Sequence, residues 1–178
     1  MKEETMRLVM IKYFQSNNIE VIPQRGAGPD LHIKGKGVVE VKGSKYDFAK
    51  MLRQLADYAM KHPEVALALP YDGLTFERVH QLLMLSILID KIDSKFILYL
   101  IAPAPEGNSF FYVKRFKSMN EVQLKMSAYV QGMWGLDPKH PTSTIKVAVE
   151  NLVKYSPIEV LKNEICTDYD NTVSKVQI

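Results

Sequence analysis

The chain has 178 residues, 47% hydrophobic and 24% charged, with a formal net charge of +3. That suits one domain with a sizeable core and a few extra elements, and it excludes a disordered or wholly basic chain. The single cysteine, Cys166, rules out an intrachain disulfide framework or a multi-thiolate metal centre and fits a reducing compartment.

The start Met-Lys-Glu-Glu does not read as a signal peptide. Residues 3–16 repeat Met6, Val9, Met10, Tyr13 and Phe14 at helical spacing, with Glu3 and Glu4 in the first turn, where the helix dipole favours them. Short strands are expected at 19–23, 30–34 and 37–42, the last two joined by a Gly35-Lys36-Gly37 hairpin. These three should pair antiparallel. Ser44 is the expected N-cap of a second helix, with Asp47 completing a capping box and His62-Pro63 ending it. Phe48, Met51, Leu52, Leu55 and Ala59 form its buried stripe, and Gln54 and Tyr58 share an adjacent face.

Val65 to Pro70 reads as a strand covered on both sides. A third helix is expected over 75–90, apolar round much of its circumference, which implies deep burial or a subunit interface. Its run Leu82 to Ile89 contains Ser86 and is too short to span a bilayer, so a soluble cytoplasmic protein with no membrane partner is expected. Phe96 to Ala102 is a further strand, and Phe110 to Phe116 an outer one. Residues 118–178 are expected to be a helical extension, opened by Ser118-Met119-Asn120-Glu121, with Trp134 in a loop. A second helix carries Ile145, Ala148, Val149, Leu152 and Val153, a third begins at Ser156-Pro157, and the tail is loose.

The chemistry concentrates between Asp30 and Lys42. Side chains alternate across a strand, so Glu40 and Lys42 share one face while Val39 and Val41 take the other. An acid and an amine among apolar neighbours are costly unless something uses them. A hard divalent cation takes carboxylate oxygens, and a phosphate suits the ammonium. Between Lys34 and Arg53, the bases Lys34, Lys36, Lys42, Lys45, Lys50 and Arg53 stand against only Glu40 and Asp47, a balance that suits a polyanion and equally an ordinary solvated surface.

Pro29-Asp30 and Glu40-Val41-Lys42, on a helix, three strands, helix, strand order, resemble the pattern of the PD-(D/E)XK nuclease superfamily. Gln54-Leu55-Ala56-Asp57-Tyr58 resembles the Gln-x-x-x-Tyr motif of its RecB-like branch, near the Holliday-junction-resolvase-like relatives. The resemblance covers about residues 1–102. It implies an α/β restriction-endonuclease-like core (α-β-β-β-α-β, a central mixed sheet flanked by helices) within residues 1–117, and a DNA nuclease using Mg²⁺, with Mn²⁺ able to substitute. It further implies that Asp30, Glu40 and the Val41 carbonyl hold the metal, that Lys42 positions or activates the attacking water, and that Gln54 and Tyr58 contact DNA or place that water. Many relatives add a first-helix glutamate, for which Glu4 is the candidate and Glu3 the reserve. Lys45, Lys50 and Arg53 are the candidate DNA contacts, and a homodimer is expected.

Plainer roles are open for each residue. Asp30 can cap a turn, Glu40 and Lys42 can be a surface pair, and Tyr58 an edge-of-core aromatic. The alternative for the whole chain is a non-catalytic nucleic-acid-binding or assembly module that keeps the fold. His32 is in phase with Asp30, yet a plain strand histidine is the simpler reading. No histidine has zinc-like partners, and Gly26-Ala27-Gly28 lacks the Lys-Ser/Thr of an ATPase loop.

Overall fold

The structure is a computed structural model that describes the chain except residues 25, 27, 108, 117 and 123–172. Its elements run α1 (Glu3–Ser16), β1 (Val21–Pro23), β2 (Leu31–Ile33), β3 (Gly37–Val41), α2 (Phe48–Ala59), β4 (Glu64–Pro70), a 3-10 turn (Tyr71–Gly73), α3 (Phe76–Asp90), β5 (Lys95–Pro103), β6 (Phe110–Phe116) and β7 (Val173–Gln177). The described residues are α/β, with one mixed seven-stranded sheet in the order β1 to β7 among them.

The first three strands pair antiparallel, as their alternation and the Gly-Lys-Gly turn require. Gly35 takes a φ of 71° in that turn, a region glycine enters without strain. β3, β4 and β5 are parallel neighbours because α2 and α3 return the chain to the same end of the sheet each time. β6 and β7 then add antiparallel.

The residue pattern explains the layers. Along β4, Val65, Leu67 and Leu69 face one side with α2 and α3, while Ala66 and Ala68 face the other with α1. Small residues under α1 leave room for Met6, Met10, Tyr13 and Phe14, and Tyr13, Phe14 and Tyr99 meet edge to face. Met51, Leu55 and Ala59 are the buried row of α2, with Phe48 and Leu52 packed partly exposed beside them.

Four expectations are corrected. Asp47, not Ser44, caps α2: its carboxylate accepts the Lys50 backbone N–H at 2.9 Å. Ser44 is engaged elsewhere, its N–H bonded to the Met1 carbonyl oxygen at 2.9 Å. β6 is not an outer strand, because β7 covers its edge. The last residues are not loose but form β7, with Val176 buried beneath α1 and Lys175 ion-paired to Glu106 at 2.6 Å. They are also not part of a helical extension. Of that extension, only its opening is described as helical, at 119–122, with the Ser118 hydroxyl accepting the Glu121 N–H at 3.3 Å. Trp134, Cys166 and the helices expected over 145–153 and from 156 lie outside the described residues.

α3 divides its apolar circumference. Val79, Leu82, Leu83 and Ile89 enter the core, while Met84, Ile87 and Leu88 face outward, with Ile92 following. No helix among the described residues is long and apolar enough to cross a membrane.

Candidate active site

The parallel pairing of β3 with β4 and the antiparallel pairing with β2 bring Asp30, Glu40 and Lys42 together. Leu31 lies opposite Val39, so Asp30, one residue earlier, reaches the carboxyl end of β3. There its Oδ2 accepts the Val41 backbone N–H at 2.8 Å. The Lys42 N–H bonds the Ala68 carbonyl oxygen at 3.0 Å, which holds Lys42 against β4 just past the end of β3. Val39 and Val41 lie under α1, so Glu40 and Lys42 face the α2 side, as alternation requires.

Glu40 is the most constrained polar residue of the site. Only 1% of it is exposed. Its Oε1 is ion-paired with Lys42 Nζ. Its Oε2 is buried without a close hydrogen bond among the described residues, the Tyr58 hydroxyl being near enough only to help hold the carboxyl's pKa down. Burial pushes the Glu40 carboxyl above the ordinary carboxylate range, Lys42 pulls it back, and the Asp30 charge adds to the rise.

Gln54 and Tyr58 project from α2 toward this carboxylate, both half-buried. Burial, followed by the charge of Glu40, pushes the Tyr58 hydroxyl up to about 12, partly offset by Gln54. Tyr58 therefore keeps its proton at neutral pH and acts as a donor, not a base.

The amino end of α1 closes the other side. A Cβ at Gly43 would lie 2.8 Å from both the Glu3 nitrogen and the Met1 carbonyl oxygen, so glycine lets the helix start pack directly on the residue after Lys42. Glu3, Glu4 and Arg7 line a cleft of about 330 Å³ together with Asp30. The structure thus puts Glu4 on the wall beside Asp30. Among the described residues, no three carboxylates or imidazoles converge as a ready metal-ligand group.

The basic candidates separate. Lys45 is exposed on the loop between β3 and α2, and Lys50 and Arg53 are exposed on α2. His32 leaves the site altogether: it meets His62 edge to face, ring centroids 5.6 Å apart. Sequence reasoning missed Arg78, which lies over both Tyr46 and Phe48 beyond the carboxyl end of the sheet. No local signal marks a contact between a helix and a loop so far apart in sequence.

Comparisons with protein-family models, with curated proteins and with solved structures find no match.

Proposed function

We propose that this protein is a metal-dependent DNA nuclease with a restriction-endonuclease-like core of the PD-(D/E)XK type. One observation carries the reading: a nearly inaccessible carboxylate, Glu40, with one oxygen on Lys42 and the other without a close hydrogen bond, beside Asp30. Leaving a buried acceptor unsatisfied costs about 1–3 kcal/mol, and a structural role gives no return for it. A cation does, so the donor set fits a hard divalent metal. Asp30 and Glu40 would hold it, with the Val41 carbonyl and Glu4 as further oxygen donors.

Bound Mg²⁺, or Mn²⁺ in its place, supplies charge that polarises a phosphoryl oxygen and acidifies a water. The remaining work belongs to the chain. Lys42, held against β4, presents an ammonium to the charge that grows on the phosphate and keeps the water in place. Tyr58 and Gln54 offer neutral donors from α2 that orient the water or a phosphate oxygen. The exposed bases Lys45, Lys50 and Arg53 attract the strand through its charge.

Cleavage of junction, flap, single-stranded and duplex DNA in Mg²⁺ tests the proposal. Wild type should cut at least one substrate, chelator should stop it, and Asp30→Asn should slow it by about 10²-fold or more. No cleavage of any substrate by wild type sinks the reading.

The Glu40–Lys42 ion pair favours a second reading, since it neutralises the acid from within. On that reading the chain is a non-catalytic nucleic-acid-binding module. Calorimetric titration with Mn²⁺ separates the two: a nuclease shows a site lost in Asp30→Asn, and the module shows none. The outward row Met84, Leu88 and Ile92, at four-residue spacing, supports a homodimer, which sedimentation over a concentration series reads directly.

A further inference from the structure

Arg78 sits in the first turn of α3, whose N-cap Thr75 accepts the Arg78 backbone N–H at 3.3 Å. Its guanidinium carbon lies 5.1 Å from the Tyr46 ring centroid and 5.2 Å from that of Phe48. Nη1 donates to the Gly73 carbonyl oxygen at 2.8 Å, the same oxygen that accepts the Tyr46 hydroxyl at 2.7 Å. Four elements therefore fix one cation: the loop after β3, the start of α2, the 3-10 turn after β4 and the first turn of α3.

This arrangement does more than tie those elements together. A guanidinium carries five donors in a flat fork; the Gly73 oxygen takes one and the Tyr46 hydroxyl lies within reach of another. No carboxylate lies within ion-pair distance of Arg78 among the described residues. The residue is only half-buried, so part of it lies at the surface. Arginine loses close to the most rotamer entropy of any side chain when ordered, about 2 kcal/mol. Here that loss is incurred before any ligand arrives, which favours an anion over bulk water.

Its place in the fold selects the anion. Gly73 lies three residues past the end of β4, and Lys42 lies just past the end of β3, beside Ala68. Both are at the carboxyl ends of neighbouring parallel strands, where open α/β sheets bind ligands. The exposed Lys45 is on the connecting loop. An arginine fork on this rim matches the two non-bridging oxygens of a phosphodiester.

We infer that Arg78 is a substrate-positioning residue that grips a backbone phosphate of the nucleic-acid strand, away from the bond that is cut. The inference rests on the nuclease reading for the identity of the strand.

The test is fluorescence anisotropy of a labelled oligonucleotide with the full chain in chelator, across about 50 to about 200 mM salt. Arg78→Met keeps an apolar stem between the two rings and removes the fork. It should bind about 10-fold more weakly, the scale of one charge-assisted contact. The slope of log K against log salt should fall by about 0.7–0.9. Single-turnover cleavage at subsaturating protein should fall in step with the affinity, by about 10-fold, because the contact positions the strand. Lys95→Met, at the opposite end of the sheet, should leave affinity and slope unchanged.

Wild-type affinity and slope in Arg78→Met overturn the inference and leave the nuclease reading standing. Should Arg78→Met fail to fold, Arg78→Lys decides. It keeps the charge and loses the fork, so weaker binding with an unchanged slope supports the grip, and wild-type binding overturns it. A wild-type protein that binds no nucleic acid overturns both readings together.

Discussion

On the proposed nuclease reading, Glu40→Gln should abolish cleavage and, in chelator, raise stability. The activity loss should be about 10³-fold or more, the scale at which an enzyme suffers from losing a pre-organised charged group. The gain in stability follows from burial. Glu40 titrates above its ordinary range because burial disfavours the charged form. Between its unfolded and its raised folded pKa, the native state holds a proton that the unfolded chain has released. Stability from this group is therefore complete below the unfolded value and is lost as pH rises through the folded one. Glutamine at 40 has no charge to bury, and the partner it orphans, Lys42, is 15% exposed against 2% for Glu40 and can turn its ammonium to water, so at mildly alkaline pH the change should stabilise the protein by about 0.5–2 kcal/mol. Mg²⁺ should reverse the ranking, adding about 2.7 kcal/mol to wild type at a hundredfold excess over its Kd and nothing to the variant. Thermal melts of both proteins, at acidic and alkaline pH, with and without Mg²⁺, read all of this. A variant less stable than wild type in chelator at alkaline pH would show that Glu40 is a structural ion-pair partner first.

Lys42→Met should be the most damaging single change at the site. The Lys42 side chain is 15% exposed and that of Glu40 2%, so the pair is largely shielded from water. Removing one partner of a buried pair leaves the other uncompensated, at a cost of about 3–5 kcal/mol. Lys42 is also the main influence holding the Glu40 pKa down, so its loss lifts that pKa further. The variant should therefore recover stability on mild acidification, when Glu40 takes up a proton, and lose it more steeply than wild type as pH rises. Adding Glu40→Gln should restore much of the loss, since the orphaned charge disappears. Denaturant melts of the two single variants and the double variant form the cycle that measures this. Additive effects would mean that the two side chains do not depend on one another.

The legible part of the site was the part encoded by alternation. Glu40 and Lys42 two apart on a short strand, with Val39 and Val41 between and beside them, left one choice of face once a core was assumed, and the structure takes it. The continuous apolar run of β4 likewise announced a strand covered on both sides. What stayed hidden depends on partners distant in sequence. Ser44 and Asp47 are both competent caps, and the backbone of Met1 decides between them. The near-uniform apolar character of α3 fitted burial or an interface, and only the packed sheet shows which side is left over. Arg78 looks like any first-turn arginine until Tyr46 and Phe48 are folded beneath it. Val173 to Gln177 gives a weak strand signal, because Ser174, Lys175 and Gln177 dilute it and the pairing edge is supplied by β6.

That last strand also sets the order in which the molecule can be finished. β7 pairs with β6 across residues 117–172, and its Val176 packs beneath α1, at the other end of the described chain. Closing so long a connection is slow, and it cannot start until β7 itself has left the ribosome. Until then β6 presents an unpaired edge carrying Phe110, Phe111, Tyr112 and Phe116, a template for pairing with other nascent chains. β7 thus acts as the latch of the sheet. A chain cut before Val173 would leave that edge open even though every residue proposed for the site is present.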